Sequence, residues 1–235
     1  MISKTNQNQT NKAIIFDSGA LISFSMNGIT HIIKKLKEIF KGKFLITPNV
    51  KKEIIDNPMK IRRFKLEALK LKQLLDEGVL ELSSSLEIND SEITKKTNEI
   101  LDVANATFND GGKNINIMHT GEASSLALGK ILNERKIKNV IVIDERTTRI
   151  LAEKPENLKK FLEKKLHVKI KIIMENLKLF KDFRIIRSTE LIYVAYKKGL
   201  IKLKDGNVLN TLLYAMKFKG AAISGDEIEE IKKLG

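Results

Sequence analysis

Four acids stand where carboxylates can act together. Asp17 directly follows the apolar run AIIF, Glu53 lies on the helical stretch opened by Thr47-Pro48, Glu122 falls in the first turn after Thr120, and Asp144 directly follows VIVI. Each alone has a simpler role: an Asp after a strand caps the next helix, and a Glu in a first turn complements the helix dipole. Together on one rim they would raise each other's pKa, and they could not all stay ionised without a compensating cation. Mg2+ or Mn2+ fits that need, because both prefer oxygen ligands and bridge readily to phosphate oxygens. In nucleases such ions acidify an attacking water and neutralise charge building on the scissile phosphate. The rest of the composition removes competing chemistries. With no cysteine and only His31, His119 and His167, the chain has no disulfide framework, no Cys-based zinc site and no thiol nucleophile.

The elements that must position these acids are legible as alternating strands and helices. Residues 13–17 and 43–47 (KFLIT) read as strands, 79–83 as a short strand and 140–143 as a strand buried on both faces, since four β-branched residues follow one another there. Between them, Ile29, Ile32, Ile33, Leu36, Ile39 and Phe40 mark an amphipathic helix over 28–41. Thr47 with Pro48 marks a helix start, with Thr as N-cap and Pro at the first helical position. The pattern predicts a long helix over 61–77 and another over 91–108, with 84–119 as a hydrophilic segment of helix, loop and lid. Thr120 opens a helix rich in small residues, suited to close approach to a sheet. The reading is an α/β fold: a central parallel β-sheet flanked by helices in three layers. In such a sheet ligands bind outside the carboxyl ends of the strands, which makes Asp17 and Asp144 neighbours. Glu53, beside the apolar stripe of its helix, is expected to face inward. Residues 1–12 read as a flexible polar tail and 13–235 as a single domain with hydrophilic insertions near 84–119 and 154–182.

Hydrophobic residues at 42% beside charged residues at 31% exclude wholesale disorder. No apolar stretch approaches the roughly 20 residues of a membrane helix, and the start MISKTNQNQTNK is polar, so the expected location is cytoplasmic. The net charge of +14 is concentrated: residues 31–72 carry 13 basic against four acidic residues, and 154–187 carry 11 against four. Such segments attract a polyanion through counterion release, and RNA guided past an acidic metal site is the reading that uses both. Arg62, Arg63, Lys159 and Lys160 are the exposed candidates for nucleic-acid contact. With no Trp and three Tyr, no stacking platform for bases is visible.

The stretches IIFDSGALISF (14–24), LITPNVKKEI (45–54), TGEASSLALGK (120–130) and VIVIDERTTRILAE (140–153) resemble, in order and spacing, the PIN-domain ribonucleases, many of which are toxins of toxin-antitoxin pairs. FRIIRSTELIYVAYKKGLI (183–201) is similar to the last strand and helix of several members and puts Ser188 at the edge of the site. The resemblance implies a PIN-like fold and a nuclease that cuts RNA with a metal held by Asp17, Glu53, Glu122 and Asp144, leaving a 3′-hydroxyl. Ser18, Thr148 and Arg149 become auxiliary candidates, for orienting water or contacting phosphate, and Glu145 an auxiliary candidate with no assigned role. It also implies association, as a homodimer or with an antitoxin-like protein, although Leu191, Ile192, Val194, Leu212, Leu213 and Met216 read better as core. Where many relatives have two aspartates after the fourth strand, this chain has Asp144-Glu145. Alternatives are a non-catalytic RNA- or protein-binding module of the same fold and a DNA nuclease of related fold. A haloacid-dehalogenase-type phosphatase needs a second Asp at the place held by Gly19.

Overall fold

Successive residues of the apolar strands turn to opposite faces, and the two sets enter different cores. The computed structural model describes residues 12–234; of the stretch expected as a tail, residues 1–11 lie outside the described residues, while Lys12 opens the first strand. Strand β1 (Lys12–Phe16) leads into α1 (Ser18–Met26) and α2 (Thr30–Ile39), then β2 (Lys43–Ile46), a short α3 (Pro48–Lys51) and α4 (Lys65–Asp76). After β3 (Glu81–Leu82) come α5 (Asp90–Ala106), β4 (Phe108–Asn109), α6 (Thr120–Glu134) and β5 (Lys138–Val142). Then follow α7 (Arg146–Glu153), α8 (Pro155–Leu166), β6 (Lys171–Ile172), β7 (Ile185–Ile186), α9 (Ser188–Lys197), α10 (Val208–Phe218) and α11 (Gly225–Lys233).

Five strands form one parallel sheet in the order β3-β2-β1-β5-β7, with Ile15 opposite Leu45 on one side and Phe16 opposite Val142 on the other. With eleven helices among the described residues, the fold is α/β. From β1 the chain steps to β2 and β3, then returns to β5 and β7 on the other side. The direction of winding therefore reverses between β1 and β5, the kind of position where open sheets bind ligands at their carboxyl ends.

Phe16, Phe44, Ile46 and Val142 face a core shared with α1, α2, α4 and α9 to α11. Ala13, Ile15, Leu45, Ile141 and Ile143 face a second core shared with α5 to α8. Each fully buried Phe, Ile or Leu contributes roughly 1.5–3 kcal/mol relative to exposure. Apolar burial on both faces, and not the acids, therefore holds the rim of the sheet in place. Leu191, Ile192, Leu212, Leu213 and Met216 belong to the first core as expected, whereas Val194 is 41% exposed.

Three expectations need correction. The helix predicted from 61 begins at Lys65, because Ile61 is extended (φ −113°, ψ 112°) and only 3-10 turns, Pro58–Lys60 and Arg62–Phe64, precede α4. The helix predicted to 108 ends at Ala106, and Phe108 instead pairs with Ile172 in a small antiparallel sheet of β4 and β6. That pairing joins the two segments expected as hydrophilic insertions. Nor is the helical part of 84–119 a lid: Ile93, Ile100 and Ala104 of α5 are buried in the second core, and α5 packs along α6. No described helix is long and apolar enough to cross a membrane.

Candidate active site

The backbone brings two aspartates to the carboxyl edge of the sheet. Asp17 is the first residue beyond β1, and its N–H donates to the Val142 carbonyl of β5 at 3.0 Å, which ties it to the neighbouring strand. It also caps α1, with Oδ2 accepting from Gly19 N at 3.3 Å. Its other oxygen, Oδ1, is buried without a hydrogen-bond partner among the described residues. Burial pushes the Asp17 carboxyl up to about 7, and Glu122 and then Glu53 add to the rise; the Gly19 and Ser18 N–H groups oppose it only in part.

Asp144 stands two residues beyond β5 and is equally buried, but it is satisfied. Its Oδ1 accepts from Ser188 N at 2.8 Å and its Oδ2 from Ser188 Oγ at 2.7 Å. Burial raises its pKa, and the two bonds from Ser188 pull the other way. Ser188, expected at the edge of the site, thus bears directly on one of the acids. Behind it, Arg187 is locked by Glu190 through Nε (2.8 Å) and Nη2 (2.5 Å) and by Glu227 through Nη1 (2.6 Å). Glu190 also accepts from Arg187 N at 2.6 Å, which closes the first turn of α9. Sequence reasoning misses Arg187, Glu190 and Glu227: the N-cap is Arg187, three residues before Glu190, so the Ser or Thr that would signal a capping box is absent from that position.

The two glutamates come from α6 and from the turn that continues α3, which packs on α6. In α6, Glu122 accepts from His119 N at 2.8 Å, the capping role that its position suggests. It is at the same time half-buried. Burial pushes its carboxyl up to about 7, with Glu145 and Glu53 raising it further against the bond from His119. Glu53 departs from expectation: it is exposed and lies in a π-helical turn, Lys52–Asp56, that continues α3. The wider turn directs Ile54 and Ile55 into the core and leaves Glu53 at the rim. Its carboxylate lies against Gly121, where a Cβ would come within 2.8 Å of both oxygens. Only glycine at 121 permits this approach. A hydroxyl relay fixes the distance between the two elements. Ser124 Oγ donates to the Gly121 carbonyl at 2.7 Å, so the 2.8 Å bond between Thr47 and Ser124 has Thr47 as donor, while Thr47 accepts from Val50 N.

Among the auxiliary candidates, Glu145 caps α7 by accepting from Thr148 N at 2.8 Å and contributes to the acidic field at Glu122. Thr148 Oγ1 is buried without a partner among the described residues. The Ser18 N–H opposes the rise at Asp17, and Arg149 lies on α7 and lines a cleft whose lining includes none of the four acids. Arg62 and Arg63 are exposed on the turn Arg62–Phe64, which packs against the Pro58–Lys60 turn and so stands next but one to the turn that carries Glu53. Lys159 is half-buried and Lys160 exposed on α8, which packs along α7.

The acids do not form a closed cage. Among the described residues no three His, Cys, Asp or Glu side chains are gathered tightly enough to hold a metal ion between them. The donor chemistry nevertheless suits a hard divalent cation: every donor is a carboxylate oxygen, one buried oxygen of Asp17 is orphaned, and Asp17 and Glu122 are raised first by burial and then by neighbouring acids, so a bound cation would favour their ionised forms. Comparison with family models, with curated proteins and with solved structures finds no match to this chain.

Proposed function

We propose that this chain is a metal-dependent endoribonuclease of the PIN type, either a toxin or an RNA-processing enzyme, that hydrolyses RNA phosphodiester bonds. The observation that carries the reading is Asp17: a buried carboxyl with one orphaned oxygen, raised to about 7, at the strand-order reversal and in the field of Glu122 and Glu53. Asp17, Glu53, Glu122 and Asp144 would hold Mg2+ or Mn2+. When bound, such an ion neutralises charge on the scissile phosphate and lowers the pKa of an attacking water. The chain's own residues divide the remaining work. Ser188 holds Asp144 in one orientation, Gly121 admits Glu53 to the rim, and rotation of the Glu53 and Glu122 side chains, one exposed and one half-buried, is the motion by which the acids would converge. The net charge of +14 supplies the attraction that an acidic site alone would deny to a phosphate backbone.

A second reading has its own support. The dispersal of the acids among the described residues favours a non-catalytic RNA- or protein-binding module of the same architecture. Purified chain incubated with total RNA separates the two. Cleavage with Mg2+ or Mn2+ that is absent in chelator and in a variant lacking all four acids supports the nuclease. RNA bound and left intact under every divalent ion supports the module, and cleavage restricted to DNA points to the related DNA nucleases.

A further inference from the structure

An open polar cleft of about 650 Å3, whose lining includes none of the four acids, is formed by one face of α7, the end of α10 and the turn before α11. Its charged lining is Arg146, Arg149, Glu153, Lys154, Lys217 and Glu227. The α7 members recur at helical spacing, so they share one face. The basic groups outnumber the acids, and Glu227 is already engaged by Arg187 at 2.6 Å, standing 3.9 Å from Arg149. Held by the Ser224 N–H and Arg187 against the opposing effect of burial, the Glu227 carboxyl stays down at about 2, so it remains an anion committed to that pair.

Arg149 is the group left short. Its side chain is 12% exposed, its Nη2 reaches the Ala222 carbonyl only at 3.5 Å, and its Nε is buried without a partner among the described residues. Burial and the neighbouring Arg187 press its pKa downward, and Glu153, Glu227 and Glu190 offset them only in part. Around it, Arg146 rests on the Phe161 ring at 5.3 Å and Lys217 over Tyr214 at 5.5 Å. Aromatic support of this kind positions a cation without neutralising it. The cleft is also joined to the acids, because Ala222 N donates to the Asp144 carbonyl at 3.1 Å and Arg146 begins the helix two residues beyond Asp144.

We propose that this cleft is a phosphate subsite that seats the RNA phosphodiester next to the one at the acids, with Arg149 as its anchoring guanidinium. A guanidinium fork matches two phosphate oxygens, and the turn of α7 between Arg146 and Arg149 spans only about 5 Å. Because Arg146 opens α7 two residues beyond Asp144 and Ala222 N bonds the Asp144 carbonyl, a strand that passes Asp144 comes next to this face of α7. The inference rests on the nuclease reading and assigns the direction in which the substrate leaves the acids.

Binding of a short fluorescent single-stranded RNA to the full chain in chelator tests it apart from catalysis. Arg149→Met should weaken binding about tenfold, the scale of removing one charge-assisted hydrogen bond. Lys154→Glu with Lys217→Glu should do the same and flatten the salt dependence by about 0.7 in log–log slope for each phosphate no longer neutralised. Inorganic phosphate should compete weakly and polyglutamate should not compete beyond its effect on ionic strength. If Arg149→Met fails to fold by circular dichroism, the lysine pair decides. Unchanged affinity and slope in the lysine pair, or competition by polyglutamate equal to that of unlabelled RNA, overturns the subsite. Metal-dependent cleavage by a wild type whose cleft variants bind normally overturns the subsite and leaves the nuclease reading standing. Weakened binding in the variants with no cleavage under any divalent ion supports the cleft and removes the nuclease.

Discussion

Asp17 and Asp144 are buried alike, 3% and 2% exposed, and follow neighbouring strands, yet their surroundings are opposite. Asp144 has both oxygens bonded to Ser188, with Arg187, Glu190 and Glu227 paired behind it. Asp17 keeps one weak cap bond and one orphaned oxygen, and its charged neighbours are acids. Equal desolvation thus yields two roles. Asp144 is a carboxylate whose direction is set by the protein, while Asp17 is one that folding leaves electrostatically uncompensated, poised to take up a proton or a cation.

The largest effect that would sharpen this contrast is on activity. Asp17→Asn should lower RNA cleavage about a thousandfold, the several kcal/mol of charge stabilisation that a metal site supplies, while leaving the melting temperature at pH 8 equal or higher. The amide oxygen of Asn can keep the Gly19 bond, so the fold loses little. Asp144→Asn should fall as far in activity at nearly unchanged stability, because a carboxamide can accept from Ser188 N and donate to Ser188 Oγ. Turnover at the wild-type rate by either variant removes the metal mechanism.

Stability against pH comes next. Asp17 goes from an ordinary 3.8 to about 7 and Glu122 from 4.5 to about 7, so the folded chain holds protons that the unfolded chain has released. The stability they contribute is complete below about pH 4 and is lost as pH rises through about 7. Urea midpoints from pH 4.5 to 8.5 should therefore decline across this window in the wild type and less steeply in Asp17→Asn, and millimolar Mg2+ at pH 8 should restore the wild type alone. A wild-type profile as flat as that of the variant would mean that Asp17 titrates normally and that the contrast with Asp144 is not electrostatic.

A smaller effect, opposite in sign, belongs to the other aspartate. Asp144→Ala leaves the Ser188 N–H buried and unpaired, which should cost about 1–3 kcal/mol by denaturant unfolding at pH 7.5. Asp17→Asn should cost nothing under the same conditions. Equal destabilisation of the two variants would break the comparison.

Much of this arrangement can be read from sequence because it rests on local rules. β-branched runs ending in Asp place β1 and β5, and Thr47-Pro48 marks α3, where Thr47 does accept from Val50 N. Glu122 is legible as a cap, and its first-turn position is what makes it so. The remainder depends on contacts distant along the chain or on backbone that breaks the helical period. An inward-facing Glu53 presumes an α-helix; the π turn at Lys52–Asp56 changes the phase and moves it to the rim. The pairing of β4 with β6 involves two residues from each strand, too few to leave a period of two. The Ser188 clamp joins residues 44 apart, and the Arg187–Glu227 bond joins residues 40 apart. Neither separation carries a local signal.

Gly121 offers the subtlest test, because it links Glu53 of the turn after α3 to Glu122 of α6 without being charged. An Ala there would bring its Cβ within 2.8 Å of the Glu53 oxygens, a clash that the long, exposed Glu53 side chain can relieve by swinging away. Helix propensity favours Ala over Gly by about 1 kcal/mol, so the variant should be as stable as the wild type or slightly more so. What should fall is Mn2+ affinity, read by calorimetry, by about tenfold, the scale seen when a ligand's support is disturbed. Glu53→Gln should cause a loss of its own, and the double variant should lose little more than Glu53→Gln alone, because Gly121 acts only through that carboxylate. If the two losses add, Gly121 serves the packing of α6 and the approach of Glu53 to the rim is incidental. The aspartates would then be left to define the site by themselves.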